Sequence, residues 1–290
     1  MLLGMYGIQT GLTGMAGPGV RRLLARWTGS TWSAFCAGLV ATVLAQSSTA
    51  ITLLTIGLAN ARLLDLPRAM AVVLGANIGT CATVQILAHD PGTVALPAVL
   101  AGLALRLCSK RPPLQNLGIA CLGFGLVFGA LYLLQFALTP LQAGFGHWIS
   151  GATRNPLRAV AAGSLLAALL HSSSAATAVA VALVREGFLE LPAALALVFG
   201  NNIGTCATGL VASLAGARMG RQVAVFHLLL NLAGTLSFLP LLPLFAHLVV
   251  LTAQDPARQI ANAHTLFNVI SGLAALPLLP AAARFLALVP

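Results

Sequence analysis

The sequence predicts an all-α polytopic membrane protein that contains two inverted repeats with broken or re-entrant helices. This prediction depends on the composition, on motifs that recur at one spacing, and on polar clusters inside long apolar segments. The 290 residues are 59% hydrophobic and only 7% charged, whereas soluble domains carry roughly 25% charged residues. Because so few charges cannot cover a soluble surface, we expect 1–290 to form a single transmembrane domain.

Apolar segments follow one another along the chain, and the connections between them carry most of the charges. Several segments contain Gly, Pro or Ser near the middle and are longer than the roughly 20 residues that one span needs. Such a segment can hold two half-membrane helices that meet at a break, so we expect about eight to ten spans. The segments are 1–17, 34–59, 69–88, 94–107, 117–139, 158–184, 192–217, 222–251 and 259–288.

Two motifs occur twice, each time at the same spacing. The segment GANIGTCAT at 75–83 returns as GNNIGTCAT at 200–208, and QSSTA at 46–50 returns as HSSSA at 171–175. Both pairs lie 125 residues apart. Two features at one offset indicate a duplicated unit, which is typical of transporters built from repeats.

The similarity of the two halves extends around these motifs, since 14 of 20 residues are identical between 64–83 and 189–208. We predict one repeat unit over about 20–90 and the other over about 145–215, with connector helices at about 94–139. These three parts, together with C-terminal helices, make up the predicted transport domain.

The C-terminal helices, predicted over about 222–288, contain a shorter repeat, R-Q-(V/I)-A-x-x-H-x-L-x-N. In each copy the His and Asn are four residues apart and therefore share one helix face. They are His227 with Asn231 and His264 with Asn268. These four residues are secondary site candidates, and a hydrogen bond between helices is the alternative interpretation.

The serine clusters at 46–49 and 171–174 lie inside apolar segments. Four consecutive polar residues occupy every face of a helical turn, so we predict a helix break or hairpin tip at each cluster. A broken helix offers N–H groups that favour an anion and carbonyls that coordinate a cation. We predict a second break at the glycine motifs. The alternative is that these glycines let two helices approach each other.

Acids and histidines bear on the coupling ion. All five acids fall in predicted connections, which leaves neutral oxygens as the buried ligands and favours Na⁺ over a proton. His171, His227 and His264 keep proton coupling open. His171 stands where the other repeat has Gln46, and an imidazole can replace an amide as donor or acceptor. An oxyanion such as phosphate suits convergent hydroxyls, as do sulfate and a dicarboxylate.

At these residues the chain resembles the sodium/phosphate cotransporter family, type II-like and of the bacterial branch. The family pattern is a duplicated Q-S-S-S followed by G-x-N-I-G-T, which matches 46–49 with 75–80 and 171–174 with 200–205. The resemblance implies sodium-coupled transport of inorganic phosphate, by alternating access, in the cell inner membrane. Two departures are Thr49 at the third serine and His171 at the glutamine of the second copy.

The resemblance also implies phosphate and Na⁺ sites formed by both units. The implied residues are Gln46, Ser47, Ser48, Thr49, Asn77 and Thr80 of the first unit, and His171, Ser172, Ser173, Ser174, Asn202 and Thr205 of the second. Secondary candidates beside those in the C-terminal helices are Thr83, Asn201 and Thr208.

We expect no cofactor besides Na⁺ as the coupling ion, no metal site beyond transported Na⁺, and no nucleic acid partner. Phosphate, Na⁺ and membrane lipid are the predicted partners, with a homodimer left open. Catalysis is not expected, because the acids lie in loops. Alternatives are a sodium- or proton-coupled carrier of sulfate or a dicarboxylate, and a phosphate-sensing protein that does not transport. Many bacterial members add a cytosolic regulatory domain, which the sequence up to Pro290 does not predict.

Overall fold

The computed structural model describes residues 1–26, 28–138, 140, 151 and 153–288, and the regular secondary structure in them is helical. The described helices are α1 (Leu2–Arg26), α2 (Thr31–Ala45), α3 (Ser48–Asn60), α4 (Leu66–Leu87), α5 (Pro91–Cys108), α6 (Pro112–Leu138), α7 (Pro156–Leu170), α8 (Ser173–Arg185), α9 (Leu191–Leu214), α10 (Arg218–Phe238), α11 (Leu242–Val250), α12 (Pro256–Ala275) and α13 (Leu279–Leu286).

Five described helices are long and apolar enough to cross a membrane, namely α4, α5, α6, α9 and α12 continued through α13. The pair α10 and α11 bends by 85° and adds a sixth if it is one span. The chain is therefore a multi-pass membrane protein. The number of spans, counted by length and composition over the described residues, is lower than the eight to ten expected from the sequence. Segments 34–59 and 158–184 account for part of the difference, because each divides into helices of 13 to 15 residues.

Helices α2, α3 and α4 recur as α7, α8 and α9, with first residues 125 positions apart. The breaks recur as well: Gln46 and His171 both adopt left-handed backbone conformations, with φ of 52° and 51°. Ser47 and Ser172 follow in extended conformation. The predicted break at each serine cluster is therefore confirmed, at the same position in both halves.

The glycine motifs do not break their helices, and the prediction of a second break is wrong. Helices α4 and α9 continue through Gly75–Gly79 and Gly200–Gly204. A Cβ atom on Gly75 would lie 2.0 Å from the carbonyl oxygen of Phe35, and one on Gly200 would lie 2.0 Å from that of Val160. The motif therefore lets α2 pack directly on α4, and α7 on α9, which is the common use of small residues in membrane helices.

Helices α2 and α4 run in the same direction, because their contacts advance together along both helices. Gly38 lies against Val72, and Gln46 bonds to Thr83. Helix α3 starts beside that bond and ends at Asn60, shortly before α4 begins. Helix α3 therefore runs back along the unit, opposite to α4.

Helix α3 packs against α9 of the other half, and these two run in the same direction. Gly209 on α9 faces Thr52, and Gly216, just after α9, faces Asn60 at the end of α3. Since α3 runs opposite to α4, helices α4 and α9 run in opposite directions. Helices α10 and α12 both pack against α4 and α9, in the centre of the molecule.

Candidate functional site

The first serine of each cluster starts the second helix of its hairpin. The Ser47 hydroxyl accepts a hydrogen bond from the Ala50 amide at 3.1 Å, and the Ser172 hydroxyl accepts one from the Ala175 amide at 3.2 Å. Such an N-cap stabilises a helix by about 1 kcal/mol. These two predicted site residues therefore have a structural role at the tips.

The residue before each cap ties the tip to the neighbouring long helix. The Thr83 hydroxyl donates to Gln46 Oε1 at 2.7 Å, and His171 Nδ1 lies 2.8 Å from the Thr208 hydroxyl. Because Thr83 and Thr208 are repeat mates, the imidazole makes the bond that the amide makes in the first half. The two residues differ in exposure, since Gln46 is buried and His171 is exposed.

We expect His171→Gln to keep the second tip in place, because glutamine at the equivalent position of the first half already makes this contact. The phosphate flux that the sequence predicts for this chain should change by no more than about threefold in the His171→Gln variant. His171→Ala removes the contact to Thr208 and should reduce flux roughly tenfold, the effect of losing about 1.4 kcal/mol. Initial rates of uptake into liposomes check both; a His171→Gln variant as slow as His171→Ala would assign the imidazole a role beyond positioning.

The two tips meet each other. The Thr49 hydroxyl at the first tip donates to the carbonyl oxygen of His171 at the second, at 3.4 Å. The N-terminal ends of α3 and α8, which begin at Ser48 and Ser173, therefore lie at one junction. Each of these ends carries part of the positive charge of a helix dipole.

Several hydroxyls around this junction are unpaired. Ser48, Ser173 and Ser174 are only 8%, 5% and 4% exposed, and their hydroxyls bond to no other described residue. The Oγ1 atoms of Thr42 and Thr52 are fully buried and also lack a partner in the described part of the chain. A buried hydroxyl without a partner is costly, so those of Thr42 and Thr52 in particular suit a polar ligand.

Sequence reasoning missed Thr42 and Thr52, although each is a hydroxyl within a turn of a predicted break. The repeat mate of Thr52 is Thr177, whose Oγ1 lies 3.2 Å from the Asn201 amide. The first half has Ala76 where the second has Asn201, so Thr52 loses the partner that Thr177 keeps. Asn201 is fully buried and joins α9 to α8.

The remaining predicted residues on α4 and α9 bond mostly within their own helices. Thr80 and Thr205 donate to the carbonyls of Ala76 and Asn201, at 3.0 and 2.8 Å. Asn202 donates to the carbonyl of Val198 at 3.0 Å. The two threonine hydroxyls thus use their donors within their own helices, whereas the Asn202 amide keeps one N–H and its oxygen for other partners.

Asn77 joins α4 to α10. Its Oδ1 lies 2.9 Å from His227 Nε2, and its Nδ2 donates to Asn231 Oδ1 at 3.3 Å. In the second copy of the C-terminal repeat, Asn268 donates to the carbonyl of His264, and His264 Nδ1 is buried without a described partner. A bond between helices therefore accounts for His227 but not for His264.

A family model described as "Na+/Pi-cotransporter" matches residues 1–136 and 139–277. The chain belongs to the Na⁺/Pi-cotransporter family. It is 32% identical over 259 residues to "Uncharacterized protein YqeW" of Bacillus subtilis, an alignment that covers 88% of this chain and 84% of that protein.

Two other proteins to which the chain is similar have functional names. "Putative inorganic phosphate export protein YjbB" of Escherichia coli is 32% identical over 248 residues, and the alignment covers 85% of this chain but 46% of that protein. "Sodium-dependent phosphate transport protein 2A" of Ovis aries is 31% identical over 176 residues, covering 53% of this chain and 26% of that protein. The chain therefore spans about half of the first protein and a quarter of the second. No solved structure matches it.

In this member of the Na⁺/Pi-cotransporter family all five acids lie at helix ends, as predicted. Asp65, Asp90, Glu190 and Asp255 are N-cap residues, and Glu186 directly follows α8. The polar groups that the described residues bring to the two tips are therefore hydroxyls, amides, the His171 imidazole and backbone. Transporter family membership is also consistent with the expectation that the chain is not an enzyme.

Proposed function

We propose that this chain carries inorganic phosphate across the cell inner membrane together with Na⁺, by alternating access at the junction of the two tips. The observation that supports this most directly is the meeting of two half-helix N-termini, through Thr49 and His171, among unpaired buried hydroxyls. Membership of the Na⁺/Pi-cotransporter family and the names of the two relatives support phosphate and sodium as substrates.

The junction suits an oxyanion for a stated physical reason. Backbone N–H groups at a helix start point at a ligand, and the dipole favours negative charge there. Ser48 begins α3 and Ser173 begins α8, so each can add a hydroxyl donor to such an anion. Four phosphate oxygens can accept from both helices at once.

The same junction offers neutral oxygens to a cation. Hard monovalent and divalent cations are bound by carbonyl, hydroxyl and amide oxygens, and broken transporter helices expose them. Gln46, Thr42 and Thr52 supply such oxygens beside the first tip. Because the acids lie at helix ends, we assign coupling to Na⁺ and not to a carboxylate-bound proton.

The direction of the helices supports an inverted arrangement of the two repeats. Helices α7 to α9 begin and end 125 residues after α2 to α4, except that α9 is longer at its C-terminal end. Despite this match, α4 and α9 run in opposite directions. Two similar units that cross a membrane in opposite directions are the usual basis of alternating access around a shared site. The units 20–90 and 145–215 are therefore proposed as inverted repeats.

Flux measured in liposomes that contain only this chain tests the proposal. Gradients of Na⁺, K⁺ and pH are imposed separately, and entry of labelled phosphate is followed. We expect an inward Na⁺ gradient alone to drive accumulation. Accumulation under a pH gradient alone would mean that the coupling ion is a proton and not Na⁺, and the absence of phosphate flux under every gradient would favour a phosphate sensor. Strong inhibition of labelled phosphate entry by sulfate or a dicarboxylate would indicate that the transported anion is one of these.

The distribution of charge supports an orientation in the membrane. Following the helices sorts the charged residues to two ends of the bundle. Among the residues whose side chains the structure describes, eight Lys and Arg and a single acid lie at one end, here called the basic end: Arg62, Arg68, Arg106, Lys110, Arg111, Arg218, Arg221, Arg284 and Asp65. The opposite end has four of each sign: Arg154, Arg158, Arg185, Arg258, Asp90, Glu186, Glu190 and Asp255. Because positive loops stay in the cytoplasm, we infer that the basic end is cytoplasmic.

Thiol labelling of intact cells tests this orientation. In a background in which Cys36, Cys108 and Cys121 are serine, Gln254→Cys places an exposed thiol at the opposite end, and Lys110→Cys places one at the basic end. We expect a membrane-impermeant maleimide to label Gln254→Cys in intact cells, and Lys110→Cys only after permeabilisation. The reverse pattern would invert the orientation, and equal labelling of both in intact cells would contradict a fixed one.

A further inference from the structure

A cavity of about 360 Å³ opens at the basic end, where the end of α3, the start of α10 and the end of α13 come together. Its polar lining consists of Asn60, Arg62, Arg218 and Gln222, and none of its described lining residues is acidic. It lies at the far end of α3 from the serine tip, so it is separate from the junction described above.

We propose that this cavity is a second anion site, which binds a phosphate-type oxyanion at the membrane surface. Guanidinium groups bind phosphate in a bidentate manner, and two of them, on Arg62 and Arg218, line one cavity. The N-terminal end of the 21-residue helix α10 adds its dipole, although Asn60 Oδ1 already accepts a hydrogen bond from the Gly220 amide in its first turn at 3.0 Å. The inference goes beyond transport at the tips and does not require it.

Arg62 occupies a backbone position that disfavours it. Its φ is 58°, in the left-handed region, and its repeat mate Gly187 has a φ of 70°. Glycine is the residue that takes this conformation without steric cost, whereas a long side chain adopts it at a cost in free energy. The first repeat thus has an arginine on the cavity wall, where the second has the residue that the turn favours.

Arginines at both ends of the bundle contact the chain itself, and beside the cavity Arg218 Nη2 donates to the carbonyl of Ala287 at 2.7 Å. Arg185, the repeat mate of Asn60, donates to the carbonyls of Ala88 and His89 at 2.8 and 3.1 Å and pairs with Asp255 at 3.5 Å. Those contacts satisfy the arginine with backbone and a carboxylate. At the basic end, Asp65 is the acid nearest to Arg62 in the sequence. It pairs with Arg68 at 3.2 Å and is not among the described residues that line the cavity.

Thermal unfolding of the purified chain in Na⁺-free detergent tests the site. A Ser173→Ala background weakens binding at the tips, and Arg62→Gly is compared with Arg221→Ala, which alters an exposed arginine of the same end outside the cavity. The probes are inorganic phosphate and short-chain phosphatidylglycerol, with phosphatidylcholine as the neutral lipid. A ligand that binds only the folded state raises the midpoint.

We expect phosphate to raise the midpoint by a few degrees in the background and in Arg221→Ala, and Arg62→Gly to abolish that rise. Arg62→Gly should not lower the midpoint without ligand, because it removes a strained side chain. A rise with phosphatidylglycerol alone, also lost in Arg62→Gly, assigns the site to a lipid headgroup. A rise that persists in Arg62→Gly, or no rise with either anion, overturns the proposal. Transport by the tips is measured separately as flux, so the two proposals fail independently.

Discussion

Gly75→Ala and Gly200→Ala are expected to prevent stable folding. The added methyl carbon would lie 2.0 Å from a backbone oxygen in either case, of Phe35 or of Val160. Overpacking of a well-packed core costs about 1–3 kcal/mol or more, and here backbone atoms obstruct the new group, so two helices must separate. We expect a loss of about 3 kcal/mol or more in the free energy of unfolding, and little monodisperse protein after detergent extraction.

Gly57→Ala is the matched control for this prediction. Gly57 lies on α3, and a Cβ atom added there would have no neighbouring atom within 4 Å. Glycine inside a helix is less favourable than alanine by roughly 0.5–1 kcal/mol, so this change should be neutral or stabilising. If Gly75→Ala extracts and unfolds like Gly57→Ala, the close packing of α2 on α4 is not essential.

Ser48→Ala and Ser173→Ala are expected to reduce Na⁺-driven phosphate flux roughly 10- to 100-fold, with expression retained. Hydrogen bonds to charged groups contribute about 1.5–3 kcal/mol, and every 1.4 kcal/mol is tenfold. Neither hydroxyl bonds to another described residue, so the folded chain loses no internal bond. Initial rates in liposomes, corrected for the amount of inserted protein, measure the effect.

The control for these serines is Ser237→Ala on α10. Its exposed hydroxyl donates to the Ala233 carbonyl of its own helix at 2.8 Å, away from the tips. Its flux should match that of the unmodified chain. Unmodified rates in both Ser48→Ala and Ser173→Ala would move the site away from the tip junction.

These two sets of variants separate the roles of the two duplicated motifs. In the structure the glycine motif is a packing surface, and the serine cluster is the break that exposes polar groups. In the sequence both are short polar interruptions of apolar helices, so the same reasoning predicted a break at each. The difference lies in the neighbours. Gly75 faces the backbone of α2, whereas Ser48 starts a new helix at a hairpin tip.

The sequence indicated that His171 would make an amide-like hydrogen bond, but it did not indicate that Thr208 would be the partner. The shared offset identified His171 as the mate of Gln46, and the chemistry of an imidazole allows it to replace an amide. Which group it bonds depends on the packing of α7 along α9. The same limit applies to Thr52, whose missing partner is explained only by Ala76 standing at the position of Asn201.

The sequence by itself determined the membrane class, the duplication at one offset, the break at each serine cluster and the exclusion of acids from the helices. These features depend on composition and on residues close together in the chain, where hydrophobic transfer and local backbone chemistry decide the outcome. The tertiary structure alone decided that the glycines pack helices, that the tips meet at Thr49 and His171, and that α4 and α9 run in opposite directions. It also sorted the charges to two ends and formed the cavity beside Arg62. These depend on which helices become neighbours, and a spacing along one helix does not specify its partner, because many apolar faces can pack against one another.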